Sequence, residues 1–448
     1  MHNGNKIGFA LALTAGLLTA TAASAALTVL HTFCPSATCT GTQDGEFPAG
    51  APVKDGNKLY GTTEGGGANG VGTVYRYNVS NTNYADIFDF ASTGTNLYSP
   101  EGALIEDTGG NLYGTAKLGG AHGHGGVYKL NAPGGGGGWT ITTIYSFCTT
   151  TSGSICTDGD SPRAGLTYAG QAGGSQYDGT SLLFGNTFIG GANDHGAVFA
   201  LQLSGGVWSE KVIHDFAGAT TDGQNPTSSM WMDGSNNIFG TTLHGGSASK
   251  GFVFELTPGM NQWTNAWTET AVYNMCWTAV AKCPDGNLPT GLIMDGSGNI
   301  YAAAELGGNG INPSGGGTFF KLDNPGGCTE GGVATFWCLT VIHNFCTAAN
   351  CTDGYIPAAT TNPVEDASGN FYGVTSNGGT GAGGFPGGGT LYKITSAGAY
   401  SVLASFCTGG CGNGETPIST PVWDGTTLYG ATQGGGDATN LAGVLWSF

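Results

Sequence analysis

One short pattern recurs along the chain: an aliphatic residue or Phe, an aromatic, then three small residues. It reads Leu59-Tyr60-Gly61-Thr62-Thr63, Leu112-Tyr113-Gly114-Thr115-Ala116, Leu183-Phe184-Gly185-Asn186-Thr187, Ile238-Phe239-Gly240-Thr241-Thr242, Ile300-Tyr301-Ala302-Ala303-Ala304, Phe371-Tyr372-Gly373-Val374-Thr375 and Leu428-Tyr429-Gly430-Ala431-Thr432, seven copies in all. A glycine-rich segment follows each copy, then a second run ending in an aromatic and often a basic residue, such as Gly126-Val127-Tyr128-Lys129. A third run ends in Phe or Met, as in Ile144-Tyr145-Ser146-Phe147 and Val272-Tyr273-Asn274-Met275. An Asp-Gly or similar turn, a Pro and a fourth run such as Pro289-Thr290-Gly291-Leu292-Ile293-Met294 complete the unit. Four short strands per unit, repeated at blade-like spacing, predict an all-β, seven-bladed β-propeller with four-stranded blades.

The two ends of the pattern fit each other. Leu27-Thr28-Val29-Leu30-His31-Thr32-Phe33 matches the outermost strand of a blade, and Ala442-Gly443-Val444-Leu445-Trp446-Ser447-Phe448 matches the third. The N-terminal strand is therefore expected to close the last blade, which removes a free sheet edge at the ring junction. Residues 1–25 carry Lys6, an apolar run from Ile7 to Leu18 and an Ala23-Ser24-Ala25 cleavage signature, and read as a signal peptide. Residues 26–448 then form one propeller, exported to the outside of the cell or the periplasm.

Composition sharpens this reading. Glycine contributes 85 of 448 residues and charged side chains only 9%, which excludes coiled coils and helix bundles. With 12 basic against 30 acidic side chains the formal net charge is -18, too little positive charge to neutralise a nucleic acid or an anionic membrane. No second apolar stretch is long enough to span a bilayer. Neutral glycans, cations and proteins remain as partners, with the chain a monomer. Ten cysteines pair closely as Cys34/Cys39, Cys148/Cys156, Cys276/Cys283, Cys346/Cys351 and Cys407/Cys411, and Cys328/Cys338 pair more loosely. Local disulfides are the simpler reading and zinc binding the rival.

The stretch Leu59-Tyr60-Gly61-Thr62-Thr63, Gly65-Gly66-Gly67-Ala68-Asn69-Gly70 and Gly72-Thr73-Val74-Tyr75-Arg76, with its six relatives, resembles the glycine-rich tandem repeat of the GloVer type. That repeat occurs in bacterial exported proteins with a choice of surface anchors. The resemblance implies a propeller-like repeat and export; it brings no catalytic residues to carry over. No anchor pattern is read at Trp446-Ser447-Phe448, where many members carry one, so surface attachment is not expected.

In a four-stranded blade, the loop between second and third strands and the loop to the next blade share one face, so both variable loop sets lie on one rim. Residues that recur in every blade read as structural; polar residues that break the repeat are the candidates. His31, His214 and His343 alternate with Phe88, Tyr145 and Tyr273 at one position and read as packing. His122, His124, Asp194, His195 and His244 fall on glycine-rich loops of successive blades, and imidazoles with a carboxylate suit a divalent metal. Calcium could instead be held by the inter-blade acids Asp44, Asp158, Asp160, Asp222, Asp285, Asp353 and Glu415, although Asp-Gly turns explain most of them.

Glu64, Lys117 and Glu305 directly follow the small-residue strand, and Glu101 and Arg163 directly follow the turn proline. They are the candidate catalytic residues: a carboxylate pair could work as acid and base on a glycoside, and a cation could neutralise a uronic acid; salt bridging is the alternative. No Gly-x-Ser-x-Gly or His-Glu-x-x-His is present, and Gly65-x-Gly67-x-x-Gly70 lies between strands with no helix to face a phosphate. The sequence therefore favours a binding or interaction module for a glycan or protein, with a metal-assisted extracellular carbohydrate-active enzyme, a polysaccharide lyase or glycoside hydrolase, as the alternative.

Overall fold

The computed structural model describes residues 26–35, 44–134, 137–277, 282–324, 337–358, 362–381, 387–436 and 442–448. The expected signal peptide, residues 1–25, lies outside them. The chain is all-β: seven antiparallel blades are arranged as a propeller. No helix is long and apolar enough to cross a membrane among the described residues.

Chain order within a blade runs from the innermost strand outward. In blade one the innermost segments Gly45–Pro48 and Val53–Asp55 both pair with Lys58–Gly66, which pairs with Thr73–Asn78, which pairs with the outer strand Asn83–Asp89. Blade five is the most regular, with Asn287–Met294, Ile300–Leu306, Thr318–Asp323 and Cys338–Asn344 in consecutive order. Blade seven closes the ring as the sequence predicts: Thr28–Thr32 pairs with Val444–Ser447, which pairs with Leu428–Thr432.

The small-residue pattern has a cross-strand cause. Gly61, Gly114, Gly185, Gly240, Gly373 and Gly430 stand opposite the third-strand aromatics Tyr75, Tyr128, Phe199, Phe254, Tyr392 and Trp446. Each ring lies over its glycine so closely that a Cβ there would collide with it. Tyr75, Tyr128, Phe199, Phe254 and Trp446 are fully buried, so each blade packs one large aromatic inside its own sheet as well as between sheets.

The outer strands share a second device. Each makes a register shift against the third strand, between Val74 and Tyr75 in blade one, Val198 and Phe199 in blade three, Phe319 and Phe320 in blade five, and equivalently in the others. The additional residue of the outer strand is aliphatic, Ile87, Ile213 or Ile342, and the bulge bends the outer edge of the blade.

Four disulfides close within the described residues: Cys148–Cys156, Cys276–Cys283, Cys346–Cys351 and Cys407–Cys411. Each staples an inter-blade loop on the rim that also carries the glycine-rich loops. Cys39 and Cys328, expected partners of Cys34 and Cys338, lie outside the described residues.

Candidate functional site at the channel mouth

The Asp-Gly-x-x-Pro turn delivers each chain segment to the start of an innermost strand. The residue before each proline adopts a left-handed backbone: Phe47 (φ 59), Ser99 (φ 57), Ser161 (φ 55), Asn225 (φ 59), Leu288 (φ 57), Ile356 (φ 57) and Thr416 (φ 53). That conformation is unfavourable for non-glycine residues. It recurs because each of these N–H groups donates to a carbonyl on the preceding blade's glycine-rich loop: Phe47 to Ala442, Ser99 to Val71, Ser161 to His124, Asn225 to His195, Leu288 to Lys250, Ile356 to Gly316 and Thr416 to Gly388. Seven identical inter-blade bonds make this collar a structural device.

The acids of the same turns are occupied locally. Asp44 accepts from the backbone N–H of Cys34, Asp158 from Cys148 and Thr149, Asp222 from Ala217 and Gly223, Asp285 from Cys276, and Asp353 from Thr347, at 2.6–3.1 Å. They cap the inter-blade loops. Asp160 binds His124, and Glu415 reaches the disulfide at Cys411, so the acids are spread over separate interfaces in place of a single calcium ring.

The proposed metal set is likewise dispersed. His124 Nδ1 contacts Asp160 Oδ2 at 2.8 Å, Asp194 accepts from Gly190 within its own loop, His195 lies against Gly218, and His122 and His244 are exposed. Among the described residues no group of three within ligating reach contains more than one of these five. The physical reason is backbone anchoring: the carbonyls of His124 and His195 are tied to the next blade, which fixes the two loops and turns each side chain to its own neighbours.

Four of the five candidate catalytic residues do come together. Lys117 Nζ lies 2.8 Å from Glu101 Oε1, and Arg163 Nε lies 3.8 Å from Glu101 Oε2, an ionic contact beyond hydrogen-bond length. The Arg163 guanidinium also covers the Phe188 ring, 4.2 Å from its centroid. Glu64 joins this set across the first two blades: burial, then the charge of Glu101, pushes its carboxyl up to about 7, against the opposing pull of Lys117 and Arg163. Gln433 of blade seven donates to Glu64 Oε1 at 3.5 Å. Glu305, in blade five, stands apart; burial alone raises it to about 7, and none of the described residues forms an ion pair with it.

Glu64, Lys117, Phe188, Leu243, Glu305, Ser376 and Gln433 occupy one repeat position, directly after the small-residue strand. Phe188, Leu243 and Gln433 donate their N–H groups to the carbonyls of the collar residues Ser161, Asn225 and Thr416, which places this ring beside the collar. A cavity of about 340 Å³ opens here, lined by Phe47, Thr416, Gln433 and Gly434. Phe47 is 39% exposed, an unusual state for a phenyl ring fixed on a rigid turn.

The sequence reading missed Phe47 and Gln433 because both sit at positions that carry other residues in other blades. Their signal is the repeat alignment itself: Phe47 is the one aromatic among the seven pre-proline residues. The packing assignment holds for His343, which stacks on Tyr400 at 3.7 Å between centroids, whereas His31 stacks on Tyr84 at 3.6 Å and also meets Asp44 Oδ1 at 3.2 Å. It is incomplete for His214, which faces Asp222 and Glu269.

No curated protein matches the chain. Among solved structures, a proposed 6-phosphogluconolactonase from Bacteroides uniformis is 15% identical with a TM-score of 0.49, covering 84% of this chain and 88% of its own. PorZ, a surface component of the type-IX secretion system of Porphyromonas gingivalis, is 13% identical with a TM-score of 0.50, covering 91% of this chain and 47% of its own. A puromycin hydrolase is 11% identical with a TM-score of 0.50, covering 90% of this chain and 52% of its own. This chain thus spans about half the length of the last two, and the likeness is one of propeller fold. The repeat itself is more telling: a family model matches residues 12–181 and 170–361, and the chain belongs to the Gloeobacter/Verrucomicrobia repeat family.

Proposed function

We propose that this propeller is an extracellular recognition module that binds a neutral glycan at the mouth of its channel. The observation that carries the reading is the linked set of off-repeat polar side chains, Glu64, Glu101, Lys117, Arg163 and Gln433, of which Gln433 shares a cavity with the exposed ring of Phe47. The carboxylates and cations there largely neutralise one another, leaving hydrogen-bond donors and acceptors next to an apolar plate. A sugar offers hydroxyls to the first and the C–H face of its ring to the second, whereas a strongly charged ligand would have to break the existing ion pairs. Four disulfides fit an oxidising compartment and support an extracellular or periplasmic site of action.

The test is binding of the mature chain to an array of neutral oligosaccharides, followed by calorimetry on the best of them. Phe47→Ala and Gln433→Ala should each weaken that binding at least about tenfold, the loss of roughly 1.4 kcal/mol expected for one good contact, with unchanged melting temperature. Unaltered affinity in both variants sinks the reading, as does preference for a protein ligand that leaves the array blank.

A second reading has one observation in its favour. A carboxyl held near 7 beside a carboxylate is the arrangement of a general acid with its partner, so Glu64 with Glu101 could act on a bound glycoside. Release of reducing ends from the array's best ligand, lost in Glu64→Gln while binding persists, would establish that enzyme over the binding module.

A further inference from the structure

A rule governs the outer seams between blades. The residue two before the terminal Phe or Met of one outer strand meets the residue six before that terminus in the next blade. His31 stacks on Tyr84 and His343 on Tyr400; Phe88 shares a core with Ile141, Tyr273 with Leu339 and Ala404 with Leu27; Tyr145 faces Glu210 while its hydroxyl donates to Asp158 at 2.8 Å. Ring stacking, apolar contact or a phenol beside a carboxylate fills these six seams, with Glu210 Oε1 and His343 Nε2 each left as a single unpartnered atom.

The seam between blades three and four breaks the rule. His214 faces Glu269, and Asp222 from the intervening loop completes a trio. His214 Nε2 lies 3.5 Å from Asp222 Oδ1 and 4.0 Å from Glu269 Oε1, and one ligand atom from each residue falls within 4.8 Å of the other two. Neither His214 Nε2 nor Glu269 Oε1 has a hydrogen-bond partner, although both are closed off from solvent. A buried polar atom left unmatched is destabilising, and here two such atoms lie 4.0 Å apart. Asp222 is fixed by the Ala217 and Gly223 N–H groups at 2.6 Å each, so its carboxylate is held in place toward the trio with lone pairs to spare.

One imidazole and two carboxylates form a donor set for zinc and similar divalent transition ions, whereas calcium favours oxygen alone. Bonds of about 2.1 Å to a tetrahedral ion put donor atoms roughly 3.4 Å apart, so the observed spacing needs only a small contraction. We propose that His214, Asp222 and Glu269 form a divalent-metal site that takes Zn²⁺ or an ion of its class and pins blade three to blade four. The site is separate from the channel mouth and stands or falls independently of any glycan bound there.

The experiment uses the mature chain, stripped with chelator and dialysed against Zn²⁺. One retained equivalent by elemental analysis is expected, with a melting temperature raised by about 3 °C at zinc a hundredfold above its Kd. The double variant His214→Tyr with Glu269→Leu installs the pair that the next seam already uses, Tyr273 with Leu339. It should fold with an unchanged circular dichroism spectrum and lose both the equivalent and the thermal shift. Should that variant fail to fold, Glu269→Gln keeps the shape and should bind zinc at least tenfold more weakly in competition with a chelating dye. Wild-type protein that retains no zinc, or variants that retain the same equivalent at the same affinity, overturn the site.

Discussion

Substituting Gly251 by Ala isolates what holds neighbouring blades at their present distance. Gly251 precedes the third strand of blade four with φ 109, and a Cβ built there would lie 2.1 Å from Pro289 Cδ of blade five and 3.0 Å from the Thr242 carbonyl. Gly72, Gly196, Gly317, Gly389 and Gly443 meet the next blade's proline in the same way, at 2.5–2.8 Å. An alanine at Gly251 incurs backbone strain of about 1–3 kcal/mol and an overpacking cost of about 1–3 kcal/mol, because the clash is with a ring that anchors the collar. The sum is roughly 2–6 kcal/mol. For a chain of 448 residues the unfolding entropy makes each kcal/mol worth roughly 1 °C, so the melting temperature should fall by about 2–6 °C. Gly56→Ala is the control: it also has positive φ, 52, but nothing lies within 4 Å of its would-be Cβ, so only the strain remains. Calorimetric scans of the two variants decide the matter. Equal losses at both positions would refute the close approach of blades as the reason for glycine at Gly251.

His343 should respond to pH in a definite direction. Its ring, stacked on Tyr400 and buried, is held down to about 4, so the folded protein prefers the neutral form; stability is complete above the unfolded value near 6.5 and declines as pH falls toward 4, and His343→Phe should flatten that decline in melting scans. Glu64 has the opposite sense. Raised to about 7, it favours the folded state most below the unfolded value near 4.5, and this contribution fades as pH climbs through 7, so Glu64→Gln should be relatively more stable at pH 8 than at pH 4 when each is compared with wild type. Cys148→Ser with Cys156→Ser, which opens a short loop of 8 residues in sequence separation, should cost about 2–3 kcal/mol by denaturant titration while leaving the neighbouring blades folded.

Much of the architecture was legible because it is written seven times. The Leu-Tyr-Gly core signals a glycine facing an aromatic across a strand pair, and the alternation is visible without any neighbour information. Blade three shows the limit of this legibility: its innermost strand is reduced to the bridges Asp160 to Ile189 and Thr167 to Phe184, with a short 3₁₀ turn at Gln171–Gly173 between the second bridge's two residues, and no periodic signal marks that shortening. The site was readable in part. Glu64, Lys117, Glu101 and Arg163 could be singled out as charges that break a repeat, and the blade geometry does bring them together. The histidines could not be sorted the same way. Position on a loop says which blade a side chain belongs to, whereas the direction of His124 is decided by the Ser161 N–H that binds its carbonyl from the next blade and by the Asp160 carboxylate beside it. Glu269 was invisible for a different reason: its meaning depends on His214 in another blade, a relation between two copies that no single copy displays.

The pairing of Thr28–Thr32 with Val444–Ser447 sets a timetable for biogenesis. Of these two strands, the one that leaves the ribosome first has no blade to join until the other is complete. Bringing ends separated by some four hundred residues together costs about 5 kcal/mol of chain entropy if nothing else has formed, and far less once six blades already curve the chain back upon itself. Assembly should therefore proceed blade by blade with ring closure as the final event, and chains that stop short by even the last few residues should leave the opening strand unclasped and open to proteolysis.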